Sequence, residues 1–295
     1  MVPPSRPSAV QESAALRLFL ALSPRMPWLA QPDPPDELRP WEEVAVPRQG
    51  GRGTLGGTWF STGEARKDAR GAVLLLPPWL PWGRSYFHRR GRIEALHAAG
   101  YHVLTLDLPR KARGMSGFFD RDVEAGLAEL RRRAGSLPLY VWGVSAGGYW
   151  AHPVLARTND VAGAFFEDVS PHLFEWSWRV APLQRPFYLF YRYALRSSYR
   201  FLDMRRHAEA FSLRAVTYVG GAKDPGIHPD DTRELAARAG GRHHIVDGAG
   251  HLDSIKLARR EVLALALETF ASASAPPQTP NASGSRTTAL AAPAY

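Results

Sequence analysis

Short stretches rich in apolar residues recur along the chain, spaced so that most gaps hold one helix. Those at 72–76, 101–107, 139–142, 161–166, 215–219 and 243–246 read as strands, and the one at 72–76 is apolar throughout. A run without polar alternation is what a strand buried on both faces requires. Between two of them, 120–134 carries Val123, Leu127, Leu130 and Ala134 at helical spacing. A helix is expected over 85–99, closed by Gly100 where a left-handed residue is needed. Pro229 opens another that stops at Gly240 and Gly241. A last helix spans 254–271, with Ile255, Ala258, Val262, Ala266 and Phe270 on one face. Ahead of these, 41–46 and 58–62 read as a strand pair across a turn made by Gly50, Gly51, Gly53, Gly56 and Gly57.

Strands alternating with helices argue for an α/β fold, a mostly parallel central sheet with helices on both faces. One segment departs from the alternation. Residues 172–211 hold 11 aromatics in 40 positions, against 11% aromatic residues in the whole chain. Placed between two strands, this block reads as a helical, aromatic-rich cap over the strand ends. The expected organisation is a Pro-rich segment over 1–40 with a short amphipathic helix at 14–22, a main domain over 41–271 with the cap inserted at 172–211, and a disordered tail over 272–295. That tail is Ala, Ser, Pro and Thr, with little apolar material to bury.

Composition narrows the chemistry. There is no cysteine, which excludes disulfides, thiolate metal sites and a Cys nucleophile. The net charge is +9, with 33 Arg against 4 Lys. No nucleic-acid motif accompanies the charge, so it reads as solvated helix faces rather than a nucleic-acid footprint. The 14–22 stretch is too short to span a bilayer and contains Arg17, so no membrane span is expected, and it reads as a helix packing on the domain or on a membrane surface. The expected location is cytoplasmic, with secretion or peripheral membrane association as the alternatives. Gly51-Arg52-Gly53-Thr54-Leu55-Gly56 matches a dinucleotide fingerprint literally, but strand-like residues follow where a helix would have to open. The histidines and aspartates near 243–253 lack a zinc-binding spacing. Neither a cofactor nor a metal is expected.

The sharpest signal follows the run at 139–142. Gly143-Val144-Ser145-Ala146-Gly147 places a serine on a strand-to-helix turn, with glycines where side chains would not fit. A hydroxyl needs a base to take its proton, and an imidazole needs a carboxylate to fix its tautomer. His251, in Gly248-Ala249-Gly250-His251, and Asp224, in Ala222-Lys223-Asp224-Pro225, supply these in the order Ser, Asp, His. Each lies just past the end of an expected strand, and strand ends share one edge of a parallel sheet. Asp168, after the strand at 161–166, is the rival acid. An oxyanion would take the N–H of Ala146 and one from the loop after 72–76, which reads Pro77-Pro78-Trp79-Leu80-Pro81-Trp82. Prolines have no N–H, so Trp79 leads and Leu80 is second. Trp82, Trp176 and Trp178 are candidate substrate contacts.

On these residues, with the stretch from Asp107-Leu108-Pro109-Arg110 to Gly114 and Ser116, the chain resembles the α/β-hydrolase-fold serine hydrolases over about 41–271. The resemblance implies hydrolysis of an ester, thioester or amide through an acyl-enzyme, with a carboxylesterase or lipase acting on an apolar small molecule foremost. The competing expectation is a hydrolase-like scaffold that binds an apolar ligand or a protein. The aromatic block is also a candidate homodimer face.

Overall fold

A computed structural model describes residues 33–48, 53–62, 69–79, 83–107 and 120–274. The helix expected at 14–22, Leu80, Trp82, the stretch from Leu108 to Ser116, and the tail beyond 274 lie outside them.

Eight strands form one sheet: β1 (Trp41–Pro47), β2 (Thr54–Phe60), β3 (Gly71–Leu76), β4 (Tyr101–Leu106), β5 (Leu139–Val144), β6 (Val161–Glu167), β7 (Ala215–Gly221) and β8 (Arg242–Val246). Their spatial order is β1-β2-β4-β3-β5-β6-β7-β8. Only β2 runs antiparallel to its neighbours; β4 through β8 pair in parallel. The expected class is therefore what the chain adopts, a mostly parallel sheet covered on both faces.

The apolar runs are buried on both sides because successive side chains point to opposite faces. Leu74, Leu76, Leu139 and Val141 enter one core with α2 (Asp120–Ala134), α3 (Ala146–Leu155) and α8 (Pro229–Arg238). Val73, Leu75, Tyr140, Trp142 and Val144 enter the other with α1 (Arg92–Ala98), α9 (Ser254–Leu257) and α10 (Arg259–Ser274). Between β6 and β7 the aromatic block folds as α4 (Leu173–Val180), α5 (Arg185–Ala194), α6 (Arg196–Phe201) and α7 (Met204–Ala208), an added helical region resembling a cap. Phe174, Phe201 and Met204 anchor it to the first core. Arg205 bonds Glu175 within the cap and Glu234 on α8.

Three expectations shift. β2 begins at Thr54, so Gly56 and Gly57 lie in the strand rather than in the turn. A Cβ on Gly56 would sit 2.8 Å from both Arg84 Nη1 and Asp107 Oδ2, and the bare backbone leaves room for that pair. The stretch at 85–99 is not one helix. A 3₁₀ segment over Gly83–His88 is separated from α1 by Arg90 and Gly91, with φ of 69° and 75°. The closing helix likewise breaks at Ala258 and continues to Ser274, where Ala273 is fully buried. No helix among the described residues is long and apolar enough to cross a membrane.

Candidate active site

The turn after β5 is tight. Ser145 has φ 48° and ψ −115°, a conformation a non-glycine residue holds only when its surroundings enforce it. The enforcement is visible. A Cβ on Gly143 would strike the Gly148 backbone, and one on Gly147 would strike the carbonyls of Leu76 and Pro77. The same closeness brings the start of the loop after β3, which continues to Trp79, against the elbow. Ser145 N–H donates to the Glu167 carbonyl at 2.8 Å, and Tyr149 N–H returns to the Ser145 carbonyl at 2.8 Å, opening α3. Ala146 is the first residue of that helix.

Asp224 follows β7 and His251 follows β8. The two turns are tied by Lys223 N–H donating to the Ala249 carbonyl at 2.7 Å. Asp224 is 5% exposed, and its Oδ1 accepts from Gly226 N–H at 2.8 Å and Ile227 N–H at 3.0 Å. Its Oδ2 faces His251 Nδ1 at 2.7 Å, and His251 Nε2 faces Ser145 Oγ at 3.1 Å. With the carboxylate as acceptor, Nδ1 carries the proton and Nε2 is left to accept from the hydroxyl. Burial alone would lower the imidazole pKa. The hydrogen bond and charge of Asp224, with the charges of Asp168 and Asp253, outweigh burial and raise it above the usual value. Such a relay can draw a proton from a hydroxyl and hold it on an imidazolium.

Asp168, the rival acid, does not meet the ring. It follows β6 with φ 51°, is 1% exposed, and accepts from Leu252 N–H at 2.9 Å. Its Oδ1 has no hydrogen-bond partner among the described residues. Burial pushes its carboxyl up to about 7; His251 opposes that, and the negative Glu167 and Asp224 add to it.

Trp176 packs on the acid turn, where a Cβ on Gly226 would collide with its indole. Trp178 is an exposed cap residue, 5.2 Å from the Tyr188 ring and 4.8 Å from the Arg185 guanidinium. The structure therefore brings Ser145, His251 and Asp224 together, with Ala146 beside them, and carries Trp178 onto the cap surface. Two surface hollows of about 440 and 370 Å³ lie around Arg131 and Asp160, at the opposite ends of the strands.

Sequence reasoning missed the support beneath the turn. Arg92 is fully buried and grips Glu167 through Nε at 3.0 Å and Nη2 at 2.8 Å, while Trp142 Nε1–H donates to the same carboxylate at 2.7 Å. The available signal was an arginine beside Ile93 and one turn from Leu96, on the apolar face of its helix.

No protein-family model matches the chain. No curated protein matches it either. Solved structures do. An esterase of Pyrococcus furiosus is 18% identical with a TM-score of 0.66, the alignment covering 84% of this chain and 98% of that one. An acylaminoacyl peptidase of Pyrococcus horikoshii is 14% identical with a TM-score of 0.61, covering 80% of this chain and 42% of the peptidase. A puromycin-hydrolyzing peptidase of Mycobacterium tuberculosis is 17% identical with a TM-score of 0.58, covering 81% of this chain and 40% of the peptidase. At these identities the likeness is one of fold, the α/β-hydrolase fold.

Proposed function

We propose that this chain is a serine hydrolase that cleaves a carboxylic ester, or a thioester, of an apolar small molecule through an acyl-enzyme on Ser145. The observation that carries the reading is the unbroken relay from Ser145 Oγ to His251 at 3.1 Å and from His251 to Asp224 at 2.7 Å. Ser145 Oγ attacks the acyl carbon as His251 Nε2 takes its proton. Asp224 stabilises the imidazolium that forms. The oxyanion is held by the N–H of Ala146 and of Trp79; losing one such donor costs about 3 kcal/mol in the transition state. The tetrahedral adduct collapses and His251 returns the proton to the leaving alcohol or thiol. Water then enters, gives its proton to His251 and releases the acid, with Ser145 regenerated. The reaction needs no metal or organic cofactor. The aromatic cap, with Trp176 packed beside the acid turn, supports an apolar acyl group as the substrate part recognised; Trp178, expected as a second contact, lies on the cap surface instead. The domain assignment of 41–271 with its insertion at 172–211 belongs to this proposal.

A fluorophosphonate probe tests it. Covalent labelling at Ser145, located by peptide mass spectrometry and abolished in Ser145→Ala, is the expected result. Enzyme not treated with the probe should also discriminate p-nitrophenyl esters by acyl length, with the discrimination altered by Trp176→Ala. A folded, unlabelled protein would instead favour a binding scaffold.

A further inference from the structure

The exposed large apolar side chains of the described residues are not scattered. Trp178, Leu183, Leu189, Phe190 and Tyr193 lie in one stretch of the cap, and only Leu257 lies elsewhere. Leu183 is 91% and Tyr193 70% exposed. An apolar cluster of this kind on a folded surface marks a contact site. On α5, at 100° per residue, Pro186, Leu189, Phe190 and Tyr193 fall within an arc of about 100°, and Arg185 and Arg192 border that arc together on one side.

The charge of this stretch is equally one-sided. Between Glu175 and Asp203 the chain has five arginines, at 179, 185, 192, 196 and 200, and no acidic residue. Arg179 turns inward to Asp231. The other four are exposed. Several arginines elsewhere, Arg131, Arg133, Arg157, Arg205 and Arg238 among them, sit on a carboxylate, though not all do. Among the described residues Arg185, Arg192, Arg196 and Arg200 do not. Arg185 bonds the Trp178 carbonyl and Arg192 the Tyr188 hydroxyl.

We propose that the face formed by α5, the turn before it and α6 docks on the anionic surface of a lipid membrane. Apolar side chains with aromatic rings, bordered by arginines without counter-charges, match a headgroup layer with acyl chains beneath it. A second copy of the chain fits poorly. A two-fold contact sets a patch against itself, and here that opposes Arg185 and Arg192, which border the arc, to their own copies. The inference does not rest on the hydrolase reading, because it uses neither Ser145 nor its partners.

The test is co-sedimentation of the full chain with extruded phosphatidylcholine vesicles, with and without about 30% phosphatidylglycerol. The expected result is binding to the anionic vesicles, weakened about tenfold or more on neutral vesicles and by high salt. Leu183→Ser/Leu189→Ser/Tyr193→Ser should lose binding, and Arg196→Glu/Arg200→Glu should lose it independently. Circular dichroism melts check that both variants fold. Failure to bind anionic vesicles, or binding by the apolar variant equal to the parent's, would overturn the proposal. So would a dimer in sedimentation velocity that the apolar variant dissolves, which would assign the face to a second copy.

Discussion

Asp168→Asn gives the most quantitative handle on the ground beside the relay. The carboxyl of Asp168 is 1% exposed and burial pushes it up to about 7. In an unfolded chain an aspartate titrates near about 3.9. Between about pH 4 and about pH 7 the native protein therefore keeps a proton that the unfolded chain has released. Stability falls as pH rises wherever the native state binds more protons, and it levels off above the native value. At about 1.4 kcal/mol per pH unit, the full window is worth about 4 kcal/mol, and the part between about pH 5 and about pH 7 about 3 kcal/mol. Asparagine mimics the protonated form. Its amide oxygen accepts from Leu252 N–H, its NH₂ stands where Oδ1 has no partner, and it tolerates the positive φ. His251 acts in the same sense, since the negative Asp168 helps to raise its pKa. Urea unfolding of parent and variant across about pH 5 to about pH 8 is the assay. The variant should gain on the parent by about 3 kcal/mol as pH rises through that range. A difference that stays constant, or that grows toward acid, would refute the reasoning.

Two further perturbations separate relay from support. Asp224→Asn should lower kcat by about 10³–10⁴-fold, whereas Asp168→Asn should do much less, as an ester-hydrolysis assay of both variants would register. Because Nε2 must be free of a proton, parent activity should rise with pH through a His251 pKa above the ordinary value of about 6.5, and that limb should move to lower pH in Asp224→Asn. Arg92→Leu strands Glu167 in the interior and should cost about 3–5 kcal/mol in chemical denaturation, partly recovered by adding Glu167→Gln; no recovery would mean that the arginine acts by packing alone.

The parallel core was legible because its signal is local. Runs such as Val73-Leu74-Leu75 declare burial on both faces before any partner is known, and the Gly-x-Ser-x-Gly turn fixes where the strand must end and the helix open. What escaped depends on distant neighbours. Gly56 and Gly57 look like turn residues, and only the Arg84–Asp107 pair, set 2.8 Å from where a Cβ on Gly56 would stand, explains glycine inside a strand. The break before α1 is of the same kind, since a Cβ on Gly91 would collide with the Arg259 guanidinium, 168 positions further on. Asp168 and Asp224 were both acids at strand ends, and pattern alone ranked them. The distinction is geometric: Asp224 Oδ2 lies 2.7 Å from His251, while Asp168 Oδ2 is taken by the Leu252 amide at 2.9 Å.

The cap and the acid share atoms, and this bears on how the two halves of the molecule work together. Gly226 N–H donates to Asp224 Oδ1 at 2.8 Å, while the Gly226 carbonyl accepts from Arg179 Nη1 at 2.9 Å. Arg179 lies in α4 and is itself paired with Asp231 on α8. Trp176, one turn earlier, closes over the same glycine. One end of the cap is therefore built into the turn that orients the carboxylate, whereas α5 carries no buried residue among those described. The bonds at the α4 end hold the Asp224 turn in place. Exposure at the α5 end leaves its outer surface free to meet a partner, while the Tyr188 ring on its inner side packs on Phe174 and Trp178 of α4.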